Sequence, residues 1–188
     1  MNKSLLRLEN ITKNFGNVKV LKEINIEINT GEVVALIGDN GAGKSTLIKV
    51  ITGVHSPTSG KLFFKDEEVK IKSVSQSRKM GIETVYQERA LCDQQELYRN
   101  IFAGREITNM FGFIDIKKQR KEAEKILRDY IGFTSEAITV DSPVMGLSGG
   151  EKQGVAFGRS LYFDSDLIIL DEPTMGLSIQ ETEKVLNF

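Results

Sequence analysis

Residues 38–45 read Gly38-Asp39-Asn40-Gly41-Ala42-Gly43-Lys44-Ser45. This composition and spacing describe a loop that binds phosphate. When a glycine-rich turn opens a helix, successive backbone N–H groups converge on one anion, and the helix dipole adds positive potential at the same place. Gly38, Gly41 and Gly43 admit the positive φ values and the close ligand approach that a side chain would block. Asp39, Asn40, Ala42 and Thr46 complete the stretch of chain that faces the ligand. Lys44 is placed to reach the β- and γ-phosphates of a nucleoside triphosphate, and the Ser45 hydroxyl to hold Mg2+. A second candidate is Leu167-Ile168-Ile169-Leu170-Asp171-Glu172. Four apolar residues followed by two acids predict a buried strand with carboxylates at its C-terminal end, where open α/β sheets place their ligands. There Asp171 would bind Mg2+, directly or through water, and Glu172 would orient and polarise a water attacking the γ-phosphate.

These groups need elements to hold them. Val33-Val34-Ala35-Leu36-Ile37 is a short, β-branched apolar run and predicts a buried strand feeding the loop; Thr46 to Ile51 predicts the opening of a helix behind it. Leu5 to Thr12 and Val20 to Ile28 read as early strands. In the second of these Ile24, Ile26 and Ile28 alternate with polar residues, the period of a half-buried strand. Lys61 to Phe64 predicts a further strand, Ser73 to Met80 a short polar helix, and Ile82 to Tyr86 a strand ending at Gln87. The next segment, to about Phe157, reads as mostly helical. Its clearest helix follows the cap candidate Asp115, with Ile116, Gln119, Arg120, Ala123, Ile126, Leu127 and Tyr130 at helical spacing. Lys117, Lys118, Lys121 and Arg128 share the opposite face with Glu122 and Glu124, which predicts a solvated face rather than a basic docking patch.

The 188 residues are 40% hydrophobic and 27% charged, enough for one globular unit with a sizeable core. A formal net charge of −1 gives no electrostatic footprint for nucleic acid. No apolar run reaches the roughly 18 residues of a membrane span, and Met1 to Ser4 do not open a secretory leader. Cys92, the one cysteine, excludes an intramolecular disulfide and predicts a small buried hydrophobe. The single histidine, His55, lies in a turn-rich loop and predicts a solvated residue rather than a metal ligand.

Residues 147–153 read Leu147-Ser148-Gly149-Gly150-Glu151-Lys152-Gln153. With the phosphate loop before it and the two acids after it, the chain resembles the nucleotide-binding subunit of the ATP-binding-cassette (ABC) family, whose signature is Leu-Ser-Gly-Gly-Gln. Glu151 replaces the glutamine, a mild departure because an acid suits the first turn of a helix. The resemblance covers nearly the whole chain. It implies an α/β fold, a P-loop NTPase (RecA-like) core with an antiparallel β edge and an inserted helical subdomain. The core would use about residues 1–88 and 160–188, and the helical subdomain about 89–159. It implies ATP and Mg2+ as cofactors and a head-to-tail pair of cassettes. In that pair Leu147, Ser148, Gly149, Gly150 and Glu151 of one cassette close over the ATP held by the other. Phe15 falls where the family stacks an aromatic ring on adenine, although a core or hairpin phenylalanine is its other reading. Gln87 corresponds to the glutamine whose amide touches Mg2+ or the attacking water and whose backbone hinges the subdomains.

The resemblance also sets expectations by its departures. After Glu172-Pro173-Thr174 the chain reads Met175-Gly176-Leu177-Ser178, without the aspartate that usually helps to bridge two cassettes. The family's switch histidine lies a few tens of residues beyond the second acid, whereas this sequence stops at Phe188, so a C-terminally truncated chain is expected. Gly154 and Gly158 sit where the helix after the signature should run, each at a cost of about 1 kcal/mol against alanine.

Gly81 to Gln87, Ala90 to Asp93, Asn100 to Glu106 and Ser178 resemble the ATPases of bacterial simple-sugar importers. That resemblance implies a peripheral subunit on the cytoplasmic face of the cell membrane. It would dock on a membrane permease through the helical subdomain, pair with a second ATPase domain, and serve an external sugar-binding protein indirectly. Two alternatives stand beside it. One is a soluble ABC ATPase acting on nucleic acid or ribosomes, against which speak the 59 residues between Gln87 and Leu147, too few for a long inserted coiled coil, and the absence of heptads. The other is a nucleotide-binding fragment without turnover of its own.

Overall fold

The computed structural model describes residues 3–85, 91–131, 138–163 and 165–171. Gln87, Glu172, Ser178, the Ile179–Phe188 segment and the side chain of Tyr130 lie outside the described residues. The chain forms two compact units, one from Met1–Thr84 with Ser165–Ile169, the other from Val85–Asp164 with Leu170–Phe188.

The first unit is built on a hairpin of β1 (Ser4–Phe15) and β2 (Val18–Asn29). They pair antiparallel, with Leu8 opposite Ile26, Ile11 opposite Ile24 and Phe15 opposite Val18. On its other edge β1 pairs antiparallel with β3 (Ser59–Phe64), which pairs with β4 (Glu67–Val69), giving the order β2-β1-β3-β4. Gly60 permits this close approach: its φ is +95°, and a Cβ there would lie 2.5 Å from the Asn10 carbonyl oxygen. Along β2, Ile24, Ile26 and Ile28 are half-buried between exposed Glu23, Asn25 and Glu27, as the alternation predicts. Helix α1 (Lys44–Ile51) turns Leu47, Val50 and Ile51 into a core shared with Leu6, Leu8, Ile11, Leu62 and Phe64. Helix α2 (Val74–Lys79) starts at Ser73, whose hydroxyl accepts the Gln76 N–H at 3.2 Å.

Strands β5 (Ile82–Val85) and β6 (Leu167–Leu170) form a separate two-stranded sheet. The Gly81 carbonyl accepts the Leu167 N–H at 3.1 Å and the Val85 carbonyl accepts the Asp171 N–H at 2.9 Å. Both strands therefore advance together, and the pair is parallel. β6 forms where the apolar run predicts it, but it is only half-buried, and Leu170 is exposed.

The run Val33–Ile37 departs from expectation. No ladder among the described residues includes it, and Val33 and Ile37 are 98% and 89% exposed. An apolar β-branched run becomes a buried strand only when neighbours take up its backbone groups and cover its faces. Here β5 and β6 pair with each other instead.

The second unit is helical: α3 (Leu97–Phe102), α4 (Ile116–Lys125), a π-type turn continuing α4 over Ile126–Ile131, a 3₁₀ turn over Val144–Gly146, and α5 (Gly149–Tyr162). Leu97, Ile101, Phe102, Ala123, Ile126, Val144, Leu147 and Val155 make its core. Asp115 caps α4 as predicted, accepting the Lys118 N–H at 2.9 Å. Gln119, Ala123, Ile126 and Leu127 are buried, whereas Ile116 and Arg120 of the expected stripe are exposed, Arg120 reaching Asp141 at 2.8 Å. Ile116 opens the helix, ahead of the turns that are covered. Lys117, Lys118 and Lys121 face solvent. Helix α5 runs unbroken through Gly154 and Gly158. Cys92 is exposed, contrary to the expected buried hydrophobe. It sits in a loop whose backbone is held from beneath by Asn100, so the burial falls to the asparagine.

Candidate nucleotide-binding site

The phosphate loop lies in the first unit. Gly41 and Gly43 take φ of +85° and +95°, and the Ala42 N–H returns to the Asp39 carbonyl at 3.1 Å. Gly43 is the residue from which α1 starts: its carbonyl accepts the Leu47 N–H at 2.9 Å, so the first helical amides open directly out of the glycine turn. A Cβ on Gly43 would meet Leu21 Cδ2 at 3.0 Å and the Val20 carbonyl oxygen at 3.3 Å. The loop is thus pressed against β2, and only glycine satisfies both the dihedral and the contact. Lys44 Nζ donates to the carbonyls of Gly38 at 2.6 Å and Asp39 at 3.0 Å. The ammonium is drawn back across its own loop, with its charge held over the turn that would receive an anion. Ser45 is exposed on the first turn of α1, and Thr46 is half-buried beside it.

Phe15 belongs to the same unit and is 44% exposed, which excludes a core phenylalanine; it ends β1 in the hairpin, opposite Val18, as the hairpin reading has it. Its partner across the hairpin, Val18, stands two residues from Val20, on which Gly43 packs. At the rise of an extended strand that is about 7 Å. The aromatic ring and the phosphate loop therefore both lie against one hairpin. Lys13 Nζ lies 5.0 Å from the ring centroid, and the His55 ring packs edge-on at 5.1 Å. His55 is half-buried in that contact and not simply solvated.

The signature and the Asp171 position belong to the second unit. Leu147 is buried in its core, anchoring the turn that precedes α5. Ser148 and Glu151 form a reciprocal pair: the Glu151 N–H donates to Ser148 Oγ at 3.2 Å, and the Ser148 N–H donates to Glu151 Oε2 at 2.7 Å. This is a capping box, in which both side chains satisfy amides that the first helical turn leaves open. Glutamate at 151 therefore has a structural use that glutamine can also fill, with Gly149 and Gly150 opening the helix beside it. Asp171 follows β6, its N–H fixed on the Val85 carbonyl.

Sequence reasoning missed the framework behind the signature. Asn100, 3% exposed, accepts the Cys92 N–H at 2.7 Å and donates to the carbonyls of Cys92, Gln95 and Glu96 at 3.1–3.2 Å. Lys152, one residue past the signature, reaches Asp93 Oδ1 at 2.7 Å. Arg159 on the same helix donates to the Ala103 carbonyl at 3.2 Å. An asparagine between Leu97, Tyr98, Ile101 and Phe102 was the available signal for Asn100. The partner of Lys152 is 59 residues away in sequence and carried none.

Among the described residues no group of three or more histidine, cysteine, aspartate or glutamate side chains could hold a metal by itself. The Ser45 hydroxyl of the first unit and the Asp171 carboxylate of the second are each hard oxygens of the kind Mg2+ takes beside nucleotide phosphates.

Comparison with known proteins follows the same lines. Residues 21–175 match the family model described as ABC transporter. The chain is 46% identical over 182 residues to the xylose/arabinose import ATP-binding protein XylG of Sulfolobus acidocaldarius, covering 97% of this chain and 71% of that protein. It is 41% identical to the ribose import ATP-binding protein RbsA of Caldanaerobacter subterraneus, covering 84% of this chain but 31% of that protein. Among solved structures, the ADP conformation of an ATP-binding cassette of an ABC transporter superimposes with a TM-score of 0.79 at 27% identity, covering 98% of this chain and 74% of that one. A dimeric cassette bound to ADP and phosphate superimposes with a TM-score of 0.77 at 26% identity, covering 97% of this chain and 80% of that one.

Proposed function

Because this chain belongs to the ABC transporter family, we propose that it is the ATP-binding and ATP-hydrolysing subunit that energises uptake of a simple sugar through a membrane permease. The observation that carries the reading is the hairpin of β1 and β2, which ends β1 on an exposed Phe15 and seats the glycine turn opening α1 against Val20 and Leu21. The sugar class is supported by the xylose/arabinose and ribose import proteins to which the chain is similar. The division into a core of about residues 1–88 with 160–188 and a helical subdomain of about 89–159 is the one that the family resemblance supports.

Each residue's part follows from its chemistry. Backbone amides of Gly41 to Thr46 bind the phosphates, and Lys44 exchanges its loop carbonyls for the β- and γ-phosphate oxygens. Phe15 stacks on the base. Ser45 and Asp171, with Gln87, hold Mg2+, which when bound neutralises phosphate charge. Glu172 orients the attacking water and draws its proton. The Gly149 and Gly150 backbone, displayed by the capping box, meets the γ-phosphate held by a second cassette and so makes hydrolysis depend on pairing. No helix among the described residues is long and apolar enough to cross a membrane, which fits a subunit docked on the permease at the cytoplasmic face.

Reconstitution with the permease in lipid vesicles tests this. ATP hydrolysis should rise when the permease, the sugar and its external binding protein are present. Glu172→Gln should keep ATP binding and lower that rate by about 10²–10⁴-fold. Hydrolysis indifferent to permease and sugar would overturn the transport assignment.

A further inference from the structure

We propose that His55 is a positioning residue for the nucleotide, setting the base platform at a fixed distance from the phosphate loop. His55 stands between the two halves of the site. Its backbone N–H donates to the Lys49 carbonyl at 2.9 Å, near the end of α1, whose first residue is Lys44. Its ring packs on Phe15 with a centroid separation of 5.1 Å and an interplanar angle of 77°, the edge-to-face arrangement that aromatic quadrupoles favour. The segment around it is laced to the end of β1. The Thr58 N–H donates to the Thr12 carbonyl at 2.7 Å, the Asn14 N–H to Thr58 Oγ1 at 3.0 Å, and Lys13 Nζ to the Ser56 carbonyl at 2.8 Å.

That last bond holds the Lys13 ammonium 5.0 Å from the Phe15 ring centroid. The ring is therefore braced by a cation and by an imidazole, yet keeps 44% of its surface open. A phenylalanine at a hairpin tip would otherwise sample several rotamers, and stacking on a base would cost the entropy of choosing one. With His55 in place that cost is met before the nucleotide arrives. His55 touches neither phosphate nor metal in this assignment. It acts only through Phe15, so its effect falls on the base-dependent share of affinity.

The inference rests on Phe15 as the base platform, and the experiment separates the two. Calorimetric titrations with Mg-ATP and with inorganic tripolyphosphate compare the wild-type chain, His55→Ala, His55→Phe and Phe15→Ala, each checked by thermal melting. Phe15→Ala should weaken ATP about five- to a hundredfold, the range for base–aromatic stacking, and leave tripolyphosphate unchanged. His55→Ala should weaken ATP about two- to tenfold, the range for an edge-to-face pair, also without effect on tripolyphosphate, and His55→Phe should restore it. Loss of both ligands in parallel, or of neither, in His55→Ala overturns the positioning role. An unchanged ratio of the two affinities in Phe15→Ala overturns the platform itself, and the inference with it.

Discussion

Replacing Gly43 by alanine tests the packing of the phosphate loop against β2. Two costs add. A φ of +95° is left-handed backbone that an L side chain adopts at about 1–2 kcal/mol. The new methyl group would also stand 3.0 Å from Leu21 Cδ2 and 3.3 Å from the Val20 carbonyl. Leu21 is 2% exposed, so its methyl cannot swing into solvent and must leave its rotamer, at about 0.5–1.5 kcal/mol. The sum is about 1.5–3.5 kcal/mol, or roughly 3–14 °C in Tm for a chain of this size. Gly41→Ala is the matched control: its φ is +85°, but nothing lies within 4 Å of its Cβ, so it carries the first cost alone. Urea unfolding followed by circular dichroism should rank wild type above Gly41→Ala and Gly41→Ala above Gly43→Ala, the last gap being about 1 kcal/mol. Equal stability of the two variants would refute the claim that the loop is seated on β2.

Further outcomes follow from the second unit. Ser148→Ala or Glu151→Ala should each destabilise α5 by about 1 kcal/mol, while Glu151→Gln should be near neutral; thermal melts of the three variants check this. Asn100→Ala strands the amide and carbonyls that it serves and should cost about 3 kcal/mol or more, measured by urea unfolding. Glu122, hydrogen-bonded to Lys125, has its pKa lowered below 4.5. Its contribution is therefore present above that value and lost as pH falls through the folded-state pKa. Lys125→Gln should accordingly lower Tm slightly at neutral pH, with the difference vanishing in acid.

Much of this was legible in the chain because local chemistry dictates it. The left-handed Gly41 and Gly43, the alternation of Ile24, Ile26 and Ile28, and the Asp115 cap are each decided within a few residues, and the structure has them where expected. Readings that depend on distant partners fared differently. Val33–Ile37 has the composition of a buried strand, but burial is conferred by neighbours, which no local pattern reports. Cys92 carries a residue-type preference for the interior that the Asn100 network overrides. Glu151 looked like a departure to be tolerated. Its reciprocal bond with Ser148 makes it part of the helix start, a pairing that the Ser-x-x-Glu spacing already contained.

The measurement closest to the central claim, that residues 38–45 cradle a nucleoside triphosphate, is an equilibrium titration of a fluorescent ATP analogue in the presence of Mg2+, with tripolyphosphate as competitor. Lys44 is the one side chain assigned to the phosphates themselves, and a hydrogen bond to a charged group is worth about 1.5–3 kcal/mol. Lys44→Ala should therefore weaken the analogue by about ten- to a hundredfold and tripolyphosphate by a similar factor. Unchanged affinity for both in the Lys44→Ala chain would contradict the account.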